Sequence, residues 1–581
     1  MSFRSILLIT IAVCCLGCKK KDNIPIGSNT GATGSTETTG HDSVNVQHIS
    51  VLTQHNDNTR AGLNNKETAL TTANVNTATF GKQFILPTDD DIYAQPLVVG
   101  NLHIGAGTHN VVFIATVNNT VYAYDADKYA KPLWQINYTE KGMAPPNTGQ
   151  LQSIVWWCNP YTDFRYNIGI VGTPVIDSVA QTMYFVARST SGGNFYQYLH
   201  AVSILDGSER PGSPVQIQAS VPGTGDGSRD GIVYFDPKLN NQRQGLALVN
   251  GVVYISFSSH CDLNPYHGWI LGYDAQTLQQ RYVYNDTPTG ENGGIWECGM
   301  GIAADNAGNL YVTTGNGTVG RGGLYTETSN GTQDNGPNPD PTDLTNRGES
   351  ALKLTPSGNT LAVSSYFTPA NYFDLNNNDL DYGVMGTLLI PNSNYYFTGA
   401  KDGNLYLLDK DNMGGYSPSG NLNKQTLPFN ATLRCHPAYY KGSTNEFVYL
   451  WPEYESLQSL KFNRAGGLLS YGATYRATVA PQEFGGVISV SSNGTKDGTG
   501  IVWVAYAENQ EPSVGVVWSA LYHCVLRAFD ANDISKELWD SDMSPADAPG
   551  NWAKYCSPTI ANGKVYLATF SGHVVVYGLK K

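Results

Sequence analysis

From residue 48 onward, apolar and polar positions alternate in short runs, and the runs are broken by Gly, Asn and Asp. That alternation marks half-buried strands joined by tight turns. One unit recurs. It opens on a short stretch with Pro or small residues, as in YAQPLVVG (93–100), VGTPVID (171–177), QGLALVNG (244–251) and GMGIAAD (299–305). Further openings are MGTLLIPN (385–392), CHPAYYKG (435–442), GGVISVSSNG (485–494) and CSPTIANG (556–563). A Val/Tyr-rich strand follows each, such as GVVYISFS or GKVYLATF, and then a strand ending near Asp, such as NTVYAYDAD or GNLYLLDKD. Sheets repeated every 50 to 85 residues predict the blades of an all-β propeller, an architecture that leaves only short sheet edges. Eight openings predict eight blades, seven if one opening is misread. The last strands, within residues 563–579, lack a fourth partner, and FGKQFILP (80–87) is available to supply it and close the ring.

The first residues follow another pattern. Arg4 precedes an apolar run from Ile6 to Leu16, which is too short to span a bilayer and reads as an export signal. The run ends in Leu16-Gly17-Cys18, which resembles a bacterial lipobox. The resemblance implies that residues 1–17 are a signal peptide and that Cys18 is lipidated. Lys19-Lys20-Lys21 then lies at the membrane, and the chain is held at the bacterial cell envelope, with the outer membrane as the expected site. Residues 18–47 are rich in Gly, Ser and Thr, cannot bury a core and predict a flexible tether of about 30 Å root-mean-square length. The propeller is expected over residues 48–581. A net charge of −13 argues against a nucleic-acid partner. Beyond residue 18 six cysteines remain (158, 261, 298, 435, 524 and 556), an even count that permits disulfides in an exported chain. There is no C-x-x-C-H, so covalent haem is not expected, and no G-x-S-x-G.

Two blade ends, AYDADKYAKPLW (123–134) and AFDANDISKELW (528–539), resemble the tryptophan-docking repeat of quinoprotein propellers. The runs SVPGTGDGSRDG (220–231), SHCDLNPYHGWILGYDA (259–275), NGGIWECGMGIAADNAGNLYVTTGNGT (292–318) and GAKDGNLYLLDKDNMG (399–414) resemble quinoprotein-alcohol-dehydrogenase-like bacterial propellers, often called PQQ-like. TQHNDNTRAGLNNKETAL (53–70) looks like the opening segment of that family.

The resemblance implies roles for a few positions. In the PQQ dehydrogenases an Asn in a TGN turn ligates Ca²⁺ beside the quinone, and Asn316 falls there; an amide oxygen suits a hard cation. Lys401 matches the cation that contacts the quinone oxygens. Asp381 falls where the catalytic base lies, with Asp379 the competitor two residues away. Three departures count against the cofactor: no acidic residue in 189–201 replaces the second metal ligand, Trp296 is near the position of the stacking Trp but out of register, and no adjacent-cysteine disulfide covers the site. Two further constellations stand out. His260, Cys261, Asp262 and His267 are metal-capable at a spacing no standard zinc site uses. DLNNNDLD (374–381) begins like a Ca²⁺ loop, without the Gly and Glu that complete one. The sequence therefore favours a non-catalytic scaffold that binds a protein, glycan or small molecule. The alternative is a PQQ- and Ca²⁺-dependent dehydrogenase of an alcohol or sugar.

Overall fold

The computed structural model describes residues 48–151, 161–321, 340–481, 484–508 and 521–580, with the backbone of 326–327 and 333–334. Cys18, the export signal, the tether and Cys158 lie outside these residues. The strands assemble into eight blades. The first blade runs Leu97–Ile104, Gly107–Ala115, Thr120–Asp125 and Trp134–Asn137, each strand antiparallel to the one before it. The innermost strands of the next six are Val175–Asp177, Ala247–Val249, Ala303–Ala304, Tyr382–Leu389, Ala438–Lys441 and Val487–Ser491. The eighth blade is made from both ends of the chain: Phe80–Pro87 pairs with His573–Leu579, so the ring closes on the predicted strand.

Apolar side chains from facing sheets fill the gaps between blades, because each sheet buries both faces. Trp134 ties the first blade to the second by donating to the Ile204 carbonyl at 3.1 Å. Trp539 serves the other end of the ring by packing edge-on against Phe80 at 5.0 Å and Tyr577 at 5.4 Å.

The segment 51–64 has a structural role that its sequence does not announce. It circles the axis and bonds each blade in turn. Val51 N–H donates to Val98 O (2.8 Å), Ile176 N–H to Leu52 O (2.8 Å), and Thr53 Oγ1 to Leu246 O (3.1 Å). Ala304, Leu389, Tyr439 and Val490 N–H donate to the carbonyls of Asn58, Thr59, Ala61 and Gly62 at 2.7–2.8 Å, and Asn64 Nδ2 donates to Ile560 O at 2.7 Å. Arg60, fully buried, bonds Ile302 O, Thr53 Oγ1, Gln54 O and Leu246 O. The axial channel is thereby stoppered at one end.

Candidate functional site

Above the stopper the axis opens into a cavity of about 260 Å³. Val384 lines it, and Leu389, five residues along the same strand, bonds the stopper.

The TGN turn stands at the cavity's edge. None of Gly315, Asn316 or Gly317 has a positive φ, so the glycines are not there for left-handed backbone. They permit close approach instead. A Cβ on Gly315 would lie 2.5 Å from Asp381 Oδ1 and 2.9 Å from Trp296 Cδ1, and one on Gly317 would lie 2.4 Å from Gly293 N. The turn is clamped from three sides: Asn316 N–H donates to Asp381 Oδ1 (3.0 Å), Gly317 N–H to Asn376 Oδ1 (3.0 Å), and Gly293 N–H to Asn316 O (2.6 Å). The Asn316 side chain donates from Nδ2 to Asp379 Oδ1 at 2.8 Å, and its Oδ1 is buried with no partner.

Asn376 belongs to a short helix, Tyr372–Asn377, so DLNNNDLD is not a cation loop. The helix turn spends Asn376 on the TGN backbone and leads the chain into Asp379 and Asp381. Lys401, in the turn after strand Tyr395–Ala400, places Nζ 2.6 Å from Asp381 Oδ2 and 3.0 Å from Asp379 Oδ1. The two aspartates differ in setting: the Asp381 side chain is 9% exposed and the Asp379 side chain 67%. Burial would favour a neutral Lys401 amine, but Asp381 and Asp379 outweigh it and hold the ammonium above the ordinary lysine value. Trp296 also lines the cavity, packed over Gly294 and Gly315, with its indole N–H buried and unpartnered. Lys401, Asp381, Asp379 and Trp296, up to 105 residues apart in the chain, thus line one cavity, and Asn316 sits behind them, bonded to both aspartates.

Asp262 joins them, and sequence reasoning missed its place. Burial, with Asp381 and Asp379 close by, pushes its carboxyl up to about 7, and Tyr266 Oη donates to it at 2.5 Å. Strand residues 189–201 offer no acid, so the second blade contributes no carboxylate and the loop after Ser259 brings one instead. The signal was the SHCDLNPYH cluster, which the fold divides. Only Cys261 and Asp262 reach the cavity. His260 is buried between Tyr161 Oη (2.7 Å) and Arg188 (3.3 Å), and burial with the Arg188 charge keeps it neutral. His267 bonds Thr287 and the Asp226 carbonyl, both at 2.9 Å. Cys261 is disulfide-bonded, while Cys298, Cys435, Cys524 and Cys556 are buried free thiols. A disulfide therefore does line the cavity, though not one between adjacent cysteines. Thr162, Asp163, Arg243, Arg434, Cys298 and Tyr555 complete the wall.

No protein-family model and no curated protein sequence matches the chain. Solved structures match its fold. The quinohemoprotein alcohol dehydrogenase of Comamonas testosteroni superposes with a TM-score of 0.54 at 12% identity, over 91% of this chain and 80% of that one. A europium-containing methanol dehydrogenase gives 0.45 at 12% identity (89% and 81%), and Saccharomyces cerevisiae Sqt1 gives 0.46 at 8% (87% and 100%). The protein is an eight-bladed propeller with the fold of the quinohemoprotein dehydrogenase.

Proposed function

We propose that the axial cavity binds PQQ with a hard cation such as Ca²⁺, and that the protein is a dehydrogenase of an alcohol or sugar. The observation that carries the reading is Asn316 Oδ1: a buried oxygen with no hydrogen-bond donor, on a residue whose amide nitrogen and backbone N–H bond two aspartates of the cavity wall. A buried oxygen without a donor is costly, and an amide oxygen with carboxylates near it is a donor set for a hard cation. Asn316 and Asp262 would hold the metal. Lys401 and Trp296 would face the quinone, which when bound supplies the two-electron acceptor. Asp381 is the base that takes the substrate hydroxyl proton. Its carboxylate is fixed by Asn316 N–H on one oxygen and Lys401 on the other, and each oxygen keeps a lone pair for the proton. The more exposed Asp379 holds the Asn316 amide in place. With no haem motif, electrons pass to a separate acceptor. The lipobox-like Leu16-Gly17-Cys18 supports a position at the envelope membrane, with Cys18 as the anchor.

The test is a titration of the tether-free domain with PQQ, with and without Ca²⁺, followed by cofactor absorbance and Trp fluorescence. Saturable, Ca²⁺-dependent binding that Asn316→Ala and Lys401→Ala each weaken is the expected result. No binding at high micromolar PQQ overturns the reading and returns the protein to the scaffold class.

A further inference from the structure

The cavity wall carries two groups of charged side chains. On one, Asp262, Asp379 and Asp381 surround Lys401. On the other, Arg243 and Arg434 stand with Asp163. Arg434 is paired with Glu453 at 2.5 Å, and Lys554 lies buried in the field of Asp163. Arg243 is the cation left over. Its guanidinium stacks on the Tyr555 ring at 4.6 Å, and among the described residues no carboxylate or carbonyl accepts from it. Its backbone is held: Arg243 N–H donates to Gln244 Oε1 (3.2 Å), and the preceding carbonyl, of Gln242, accepts from Arg188 (2.9 Å). Burial lowers the Lys554 amine to about 7 against the pull of Asp163, with Arg243 and Arg434 adding to the effect. A guanidinium stacked on a ring keeps its edge N–H groups free, and that edge matches a carboxylate bidentately.

We propose that Arg243 is the receptor for a carboxylate of the cavity's ligand, so that the ligand is a ring-shaped carboxylate anion. The fit comes from a cavity of about 260 Å³ with the Trp296 ring in its wall. Two sources offer this chemistry: the quinone cofactor, where the inference rests on the function proposed above, and an acidic sugar substrate, where it does not.

The experiment is calorimetric titration of the tether-free domain, as wild type, Arg243→Met and Arg243→Lys, with four ligands: PQQ, isophthalate, galacturonate and uncharged galactose. Thermal melts establish that each variant is folded, and Arg243→Lys, which keeps the charge and loses the fork, serves should the Met variant fail to fold. Losing a charge-assisted bidentate contact weakens binding roughly 10- to 100-fold. A loss of that size for PQQ in the Met variant, smaller in the Lys variant, supports the inference with the cofactor as source. An unchanged PQQ affinity with weakened galacturonate and unaffected galactose supports it with the substrate as source. Arg243-dependent binding of isophthalate or galacturonate, with no PQQ binding to wild type, removes the PQQ reading and leaves the carboxylate receptor standing. Equal affinities in wild type and both variants, or no binding of any carboxylate, overturns it.

Discussion

Arg60→Met is the sharpest probe of the stoppered axis. The guanidinium is fully buried and makes four hydrogen bonds: to Ile302 O (2.9 Å), Thr53 Oγ1 (2.8 Å), Gln54 O (2.7 Å) and Leu246 O (3.3 Å). Burial lowers its value to about 10, so it is still an ion at neutral pH. Methionine fills most of the space and donates nothing. Leu246 O keeps the Thr53 hydroxyl as donor, but Ile302 O and Gln54 O lose theirs. Each orphaned buried carbonyl costs about 1–3 kcal/mol, and relief from burying a charge offsets part of the sum. A net loss of about 3 kcal/mol is expected. Because unfolding entropy scales with chain length, at about 2 cal/mol/K per residue, that loss lowers the Tm of a cooperative unit of this size by only about 3 °C. Amide exchange gives the sharper assay. Ala304, Leu389 and Tyr439 donate to Asn58, Thr59 and Ala61, on either side of Arg60. If Arg60 holds the segment in register, their exchange accelerates together, by up to about 100-fold. An unchanged melt with unchanged protection at those three amides refutes the assignment of segment 51–64 as the stopper.

Glu297 sets a pH dependence. Burial lifts its carboxyl from 4.5 to about 8, with one oxygen accepting from Thr313 and the other unpartnered. Below about 4.5 both folded and unfolded chains carry the proton, and the residue costs nothing. Between there and 8 only the unfolded chain releases it, so stability falls as pH rises, by about 3–5 kcal/mol in all. Glu297→Gln should remove that slope in denaturant melts from pH 5 to 9; parallel wild-type and variant profiles would exclude the account. Gly315→Ala drives a methyl into Asp381 Oδ1 and Trp296, so it should shift Trp fluorescence and weaken Ca²⁺-dependent PQQ binding at least tenfold. Wild-type affinity in that variant would mean the turn is not part of the site. Cys18→Ala should abolish incorporation of an alkynyl fatty acid and release the protein from membranes; continued labelling would rule out lipidation at Cys18.

The propeller was legible because its information is local. Each blade is a run of hairpins, so alternation and turn residues declare it within about 60 residues, and a simple count of strands in the last blade called for Phe80–Pro87. The resemblance that singled out Asn316, Lys401, Asp381, Asp379 and Trp296 pointed to residues the fold brings around one cavity. What stayed hidden is set by contacts between distant blades. Residues 51–64 use mostly backbone groups to reach eight blades, and backbone hydrogen bonds leave no side-chain pattern to read. Asp262 lies 119 residues before Asp381, in a cluster whose histidines turn away from the cavity.

The TGN turn shows how a turn can be singled out for an incomplete reason. Gly and Asn suggest left-handed backbone, but the turn stays at negative φ and spends its missing Cβ atoms on proximity. Proximity is also what the site needs. Gly315 lets the Asp381 carboxylate and the Trp296 ring reach the same backbone, and Gly317 lets the chain from Gly293 pass within bonding distance of Asn316. Such crowding would collapse onto an open channel. Here the stopper closes the axis below, and the blades fix the walls on every side. The result is one end of a propeller where an unpartnered amide oxygen, an aspartate–lysine pair and a ring-stacked arginine are held in place by rigid sheets.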